Sequence, residues 1–473
     1  MPITNSPLPI PHYQFPITDA TALQQRRQNL ARAIDFPVIL WSGRAASRNF
    51  PANRFPFRAS SHFLYFAGYP LENAALRLEA GQLQLFADDP SPESCLWHGE
   101  GPKREEIART IGAEAHYPLS ELPSRARYAA TVAVQDAWTR AEQSRILQRP
   151  VAPDPSARDL ELAKALVSLR LCHDNAALSE LRASAAVAVE AHLAGMRAAL
   201  TAKTEAEVRS VMEAEIAARN MTCAYNSIVT VRGEVLHNER YDNPLQPGDL
   251  ILADVGAETR GGWASDITRT YPVTGKFSPT QRQIYDLVLT AHDACIACIR
   301  PGIEYQDIHL LAASILAEGL VDLGILRGRV ADLVERDAHA LFFPHGIGHL
   351  LGLDVHDMED LGDLAGYAEG RKRSDRSGLK YLRLNRPLQA GMVVTIEPGF
   401  YQIPGILHDP KTRSRYRDAV SWERLEQFAD TRGLRIEDDV LVTETGSEVL
   451  TAALPSGVEK ILSLQHSPLK VEF

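Results

Sequence analysis

Apolar positions along the chain follow two different spacings, and the change from one to the other divides the molecule. Up to about residue 150 the apolar runs are short and partly alternating: FLYFAGY (63–69), AALRLEA (74–80) and GQLQLFA (81–87) are all of strand type. Residues 102–111 and 124–143 carry helical spacing, so the first domain reads as a mixed sheet with flanking helices. A stiff polar stretch, Arg149-Pro150-Val151-Ala152-Pro153-Asp154-Pro155, then precedes a long amphipathic, Ala-rich segment over 174–200. Thr204-x-x-Glu207 is a capping-box signal ahead of Val208, Val211, Met212 and Ile216 on one face. Ser278-Pro279-Thr280-Gln281 opens another helix, with Ile284, Leu287, Val288 and Ala291 turned inward. Cys295 and Cys298 continue that face, where a lone Cys-x-x-Cys late on a helix reads as core packing. Between and after these helices lie the strand-like runs LILADVGA (250–257), ASDITRTYPV (264–273), MVVTIEPGF (392–400) and RIEDDVLVTE (435–444). The expected fold class is α/β (α+β): a smaller mixed-sheet domain over 1–170 and a larger second domain over 171–473.

Composition narrows the class of protein. The chain has 473 residues with 50 Lys+Arg against 60 Asp+Glu, a net charge of 50 − 60 = −10, and 45% hydrophobic residues. That is ordinary for globular domains large enough to bury their own cores, which excludes a disordered chain and a disulfide scaffold. Five cysteines, an odd and sparse set, suit a reducing compartment, so the expected location is cytoplasmic. The opening MPITNSPLPIPHYQFP lacks the basic and apolar blocks of a signal peptide, and no stretch approaches eighteen uninterrupted apolar residues, so a membrane is not an expected partner. Nucleic acid is not expected either, because the acidic total comes with no aromatic-studded basic patch. The one basic run, Arg371-Lys372-Arg373 with Arg376, reads as a solvated loop.

Asp and Glu are depleted from strands and are rarely buried without a cation to balance them. Asp254, Asp266, Glu397 and Glu437 nevertheless each interrupt an apolar, strand-like run, all within the second domain. A further segment, FFPHGIGHLLGLDVHD (342–357), sets His345, His349 and His356 in apolar and glycine-rich surroundings. The spacing His345-x-x-x-His349 is not a zincin helix, since Gly346 stands where that motif needs Glu and three glycines oppose a helix. Four carboxylates and an imidazole make a hard, oxygen-rich donor set, too acidic for one ion and suited to two divalent cations, with manganese, cobalt or zinc as candidates. Such a pair acidifies water and polarises a carbonyl, so the expected chemistry is hydrolysis.

At these residues the chain resembles the pita-bread metallopeptidases, in the aminopeptidase P and prolidase branch. The matching strings are 252–288, 342–357, 392–401 and 435–446, together with FRASSHFLYFAGYPLENAAL (57–76), which is similar to the amino-terminal domain of aminopeptidase P. The resemblance implies a pita-bread (creatinase/aminopeptidase-like) catalytic domain. It implies Asp254, Asp266, His349, Glu397 and Glu437 as metal ligands, with Asp266 and Glu437 shared by two ions and manganese the expected metal. It casts Glu397 as the group that orients or deprotonates the attacking water, and His345 and His356 as the histidines that hold substrate and tetrahedral intermediate. His237 falls where the family keeps a substrate-contacting histidine, although Thr230-Val231-Arg232-Gly233-Glu234 departs from the family pattern just before it. Tyr225 and Arg435 are expected pocket residues.

The family's shared substrate class is peptides with proline in second place, whose scissile bond lacks an amide hydrogen. Arg383, in Lys380-Tyr381-Leu382-Arg383-Leu384-Asn385-Arg386, matches the prolidase arginine that captures a dipeptide carboxylate, and the insertions at 357–386 and 401–434 are prolidase-like. The expectation therefore leans to an Xaa-Pro dipeptidase over an aminopeptidase P acting on longer peptides. The remaining alternative is a catalytically dead pita-bread peptide-binding module, which would have lost ligand residues that are all present here. The resemblance also implies a homodimer or homotetramer formed through the amino-terminal domain, with Trp97 a candidate for a residue lent to a neighbouring pocket.

Overall fold

The computed structural model describes residues 19–466, and the opening segment read for a targeting signal lies outside them. The chain divides into two compact units: 1–130 with 136–150, and 131–135 with 151–473. The division at Pro150 comes earlier than the expected 170/171. Helix Ala157–Arg170 goes with the second unit, where the buried Arg170 guanidinium donates to the equally buried Asp357 at 2.5 Å.

The first unit is built on a four-stranded mixed sheet in the order Val38–Trp41, Ala75–Glu79, Gln82–Phe86, Ala115–Tyr117, with only the last pair parallel. The runs at 74–80 and 81–87 are its central strands, as their alternation predicts. FLYFAGY is not a strand: Ser61–Ala67 is a helix with every residue buried. A fully apolar run carries no periodicity to separate the two states. What selects the helix is tertiary, because the guanidiniums of Arg26 and Arg27 reach its last carbonyls, at Tyr65 O (2.9 Å) and Phe66 O (3.1 Å). The helix expected over 124–143 is also broken. Tyr128 takes a left-handed φ of 61° and Ala130 bridges to Val38 in parallel, and the helix resumes only at Ala137–Leu147 behind an Asp136 cap.

In the second unit the expected helices form. Asn175–Ala198 is capped by Asp174 and packs on Glu205–Ala218, and Pro279–Cys298 starts with a true capping box between Ser278 and Gln281. Of the predicted apolar face on Glu205–Ala218, Val208, Met212 and Ile216 are buried while Val211 is exposed. Two antiparallel sheets carry the acids. One is Thr268–Pro272, Leu250–Asp254, Ile228–Thr230; the other is Val393–Ile396, Asp438–Val442, Ser447–Val449. A two-stranded ribbon pairs Gly399–Tyr401 with Gly433–Arg435. Among the described residues no helix is long and apolar enough to cross a membrane.

Candidate metal centre and its cavity

The acids expected inside strands sit at strand ends. Asp254 is the last residue of its strand, Asp266 lies two residues before Thr268–Pro272, Glu397 follows Val393–Ile396, and Glu437 immediately precedes Asp438–Val442. Pairing brings these ends together. Thr268 is opposite Asp254, Ile396 is opposite Asp438, and Thr268 bridges to Glu437. Strand ends suit such groups because the backbone there is leaving the ladder, so the chain can turn a side chain toward the cluster without breaking an interior backbone hydrogen bond.

The histidine segment 342–357 is irregular. Leu350 bridges to Val394, and a Cβ on Gly348 would lie 2.1 Å from Thr395 O and 2.3 Å from the Tyr305 hydroxyl, so only glycine admits this approach. That contact delivers His349 to the acids. Its Nδ1 lies 3.0 Å from Leu350 O and must donate to it, which leaves the Nε2 lone pair facing Asp266 Oδ2 (3.4 Å) and Glu397 Oε1 (3.8 Å). Donor atoms of Asp266, His349 and Glu437 lie within 4.8 Å of one another.

Negative charge is in surplus. Burial, followed by the neighbouring acids, pushes the carboxyls of Asp266, Glu397 and Glu437 well above the ordinary range. The single Tyr225 hydroxyl proton is shared between Asp254 Oδ1 (2.6 Å) and Asp266 Oδ1 (2.5 Å), one donor between two acceptors. Arg435 is the opposing charge: it donates to Asp254 and to Thr268 Oγ1 (2.9 Å), and its Nε lies 3.7 Å from Glu437. One guanidinium against four carboxyls leaves room for divalent cations, and a lone pair and carboxylate oxygens aimed at a common point are the donors such ions require.

The four acids, His349 and Arg435 line a cavity of about 480 Å³ that also takes in His237, His345, His356, Arg383, Arg373 and Tyr381, whereas Tyr225 is not among its lining residues. Tyr225 and Arg435 are turned to the carboxyls, so their main contacts are within the cluster. His345 donates from Nδ1 to Gly346 O (2.8 Å), and its Nε2 accepts from the Tyr401 hydroxyl (2.9 Å), which in turn accepts from Arg435 (3.0 Å). Burial and the Arg435 charge bring the His345 ring down to about 3, and burial brings His349 and His356 to about 4, so all three are neutral near pH 7. His356 Nδ1 lies 3.1 Å from Glu359, and Glu359 in turn accepts from Arg383. Although burial pushes the Glu359 carboxyl up, His356 and Arg383 bring it down to about 2.

Several partners were not legible in the sequence: Tyr401, Glu359, and Asp439, whose carboxyl accepts the Asp266 N–H at 3.2 Å. Tyr401 closes the MVVTIEPGFY string, which was a usable signal. Glu359 pairs only through the folded insertion and left none. The basic run lies, as expected, in an exposed loop, where Arg371 pairs with Glu304, Arg373 with Asp363 and Arg376 with Asp337.

Behind the cluster, fully buried Arg269 pairs with Asp438 at 2.8 Å. Burial raises the Asp438 carboxyl, but Arg269 and His292 outweigh it and hold it at about 2. Its folded value lies below the unfolded value of about 3.9, so the stabilisation is present above about pH 4 and is lost as pH falls through 2. The stability gap between wild type and Asp438→Asn should therefore narrow between pH 4.5 and 2.5 in urea melts, and a constant gap would reject the assignment.

Buried carboxyls gathered at strand ends around one imidazole, at the wall of a cavity, are the equipment of a metal-dependent hydrolase. The chain belongs to metallopeptidase family M24, whose model matches residues 179–444, and residues 23–135 match the aminopeptidase P N-terminal domain. It is 32% identical over 428 residues to a probable Xaa-Pro aminopeptidase PEPP of Paracoccidioides lutzii, covering 86% of this chain and 88% of that one. It is 34% identical over 419 residues to a probable Xaa-Pro aminopeptidase of Verticillium alfalfae, with the same two coverages of 86% and 88%. Among solved structures it is similar to aminopeptidase P from E. coli with the inhibitor Pro-Leu (TM-score 0.75, 27% identity, 94% of this chain and 98% of that one). It is also similar to aminopeptidase PepP of Pseudomonas aeruginosa (TM-score 0.76, 28% identity, 94% and 98%). The pita-bread architecture expected for the second domain is thereby established.

Proposed function

We propose that this protein is an Xaa-Pro aminopeptidase that hydrolyses the bond between an N-terminal residue and a following proline, using two divalent cations, with manganese ahead of cobalt or zinc. The observation that carries the reading is a cavity wall formed by Asp254, Asp266, Glu397 and Glu437, on which Asp266, Glu437 and the free lone pair of His349 come close enough to share an ion. These five residues would hold the metals, with Asp266 and Glu437 shared by both. When bound, the cations supply acidified water and a polarised carbonyl. Glu397, whose carboxyl burial has made more basic, is the residue suited to accept the proton of the attacking water. Neutral His345 and His356 offer polar contacts to the peptide without adding charge, and the Arg435–Tyr401 chain fixes the His345 tautomer.

On substrate length, two observations favour longer peptides over the dipeptides first expected. The relatives carry the aminopeptidase name, and Arg383, the residue expected to receive a dipeptide carboxylate, is already bonded to the carboxylate of Glu359. The complete donor set and the family membership support an enzyme over a binding module. All five cysteines are free, which fits a cytoplasmic setting. We also propose self-association through the first unit: helix Pro92–His98 buries none of its residues, and Leu96 and Trp97 are 77% and 73% exposed.

The test is one preparation. Protein stripped with a chelator should be inactive, recover with manganese, cleave Ala-Pro-Ala faster than Ala-Pro, and scatter light as more than one chain. Full activity after stripping would remove the metal role, preference for Ala-Pro would restore the dipeptidase reading, and a single-chain mass would remove the assembly.

A further inference from the structure

The loop that presents His237 is bound to a residue remote from the metal cluster. Glu205, the first residue of helix Glu205–Ala218, is completely buried. Its Oε1 accepts from the Thr230 hydroxyl (2.8 Å) and Val231 N–H (2.8 Å), and its Oε2 from Asn243 N–H (3.3 Å) and Nδ2 (2.9 Å). One carboxyl therefore grips both ends of the segment 230–243. The backbone repeats the clasp, since Glu205 N–H donates to Asn243 O (3.2 Å) and Ala206 N–H to Tyr241 O (3.1 Å).

From Glu205 the chain of contacts leads to His237. Thr230 Oγ1, whose proton goes to Glu205, accepts from Arg232 N–H (2.9 Å) and from the side chain of Asn238 (2.7 Å), the residue next to His237. On the other side Leu236 packs against Ile228, Leu252 and Tyr401. The turn between them lies so close to strand Gly433–Arg435 that a Cβ on Gly233 would fall 2.4 Å from Gly433 O, and Glu234 is bonded to Arg432. The stretch that departs from the family pattern is thus held by contacts of its own.

We propose that Glu205 is a positioning residue for peptide hydrolysis, its buried carboxyl fixing, through Thr230 and Asn238, the loop that holds His237 in the cavity. The proposal rests on the reading above that His237 contacts substrate. Every group facing Glu205 is a donor, so glutamine, nearly the same in shape, would turn an N–H₂ group toward donors on one side.

The test compares Glu205→Gln, His237→Ala and the double variant on Ala-Pro-Ala with manganese, alongside hydrogen exchange. Glu205→Gln should lower kcat/KM about tenfold, on the scale of losing one hydrogen bond to a charged group. It should add less than twofold on top of His237→Ala, and it should speed exchange over 228–245 while leaving the 175–198 helix protected. Multiplicative losses in the double variant, or unchanged exchange over 228–245, would overturn the proposal. Should Glu205→Gln not fold, Thr230→Val severs the same link from the loop side and must give the same coupling. If the wild type leaves Ala-Pro-Ala intact, the proposed function fails by itself, and the exchange data alone decide whether Glu205 holds the loop.

Discussion

Replacing Glu397 by glutamine should reduce kcat on an Xaa-Pro tripeptide by about 10²–10⁴-fold, the range spanned by positioned proton transfer. Glu397 is the acid of the cluster that also faces His345, whose Nδ1 lies 3.5 Å from it. Its carboxyl is pushed up by burial and by Glu437, the condition under which a carboxylate becomes a useful base near neutral pH. Glutamine keeps the shape and loses the proton acceptor. The change should not weaken the metal-free fold: a carboxyl whose folded value is raised costs stability above its unfolded value, so at pH 7 the variant should melt at or above the wild type once both are stripped of metal. Steady-state kinetics and a thermal melt of the two stripped proteins check both halves. Turnover within threefold of wild type would withdraw the role given to Glu397.

The second large effect is on stability. Arg269→Met should destabilise the second unit by about 3–5 kcal/mol, the usual cost of leaving one partner of a buried pair uncompensated. Arg269 is completely buried. Besides Asp438 it donates to the carbonyls of Thr268 (3.0 Å), Glu437 (2.7 Å), Leu454 (2.7 Å) and Pro455 (3.2 Å). It thereby ties the strand after Asp266 to the backbone of Glu437, so its loss should also weaken metal affinity. Urea unfolding of the full chain, followed by a probe in the second unit, measures the first effect, and manganese titration by calorimetry the second. A loss below about 1 kcal/mol would mean that Asp438 finds enough compensation in His292 alone.

Some of this was readable before folding. Helix 175–198 announced itself by its period and helix 279–298 by period and cap, because both signals are local and the residues that satisfy them lie within a turn of one another. The acids of the cavity were readable for a different reason: an acid in an apolar run costs enough to need a compensating cation, so Asp254, Asp266, Glu397 and Glu437 stood out as a set of four in one domain, and His349 through its glycine-rich setting.

What the chain could not say locally was settled by contacts distant in sequence. FLYFAGY became helical because Arg26 and Arg27 reach its carbonyls, a fact that no window around residue 65 contains. Tyr225 turned from a pocket residue into a hydroxyl shared by two carboxyls, and Arg383 found Glu359, only when the folded loops set them side by side. The sequence by itself determined which side chains were too polar for their surroundings, since that cost belongs to each residue. Tertiary structure alone decided which of them face one another, because charge pairing and hydrogen bonding depend on distances that only the packed chain sets.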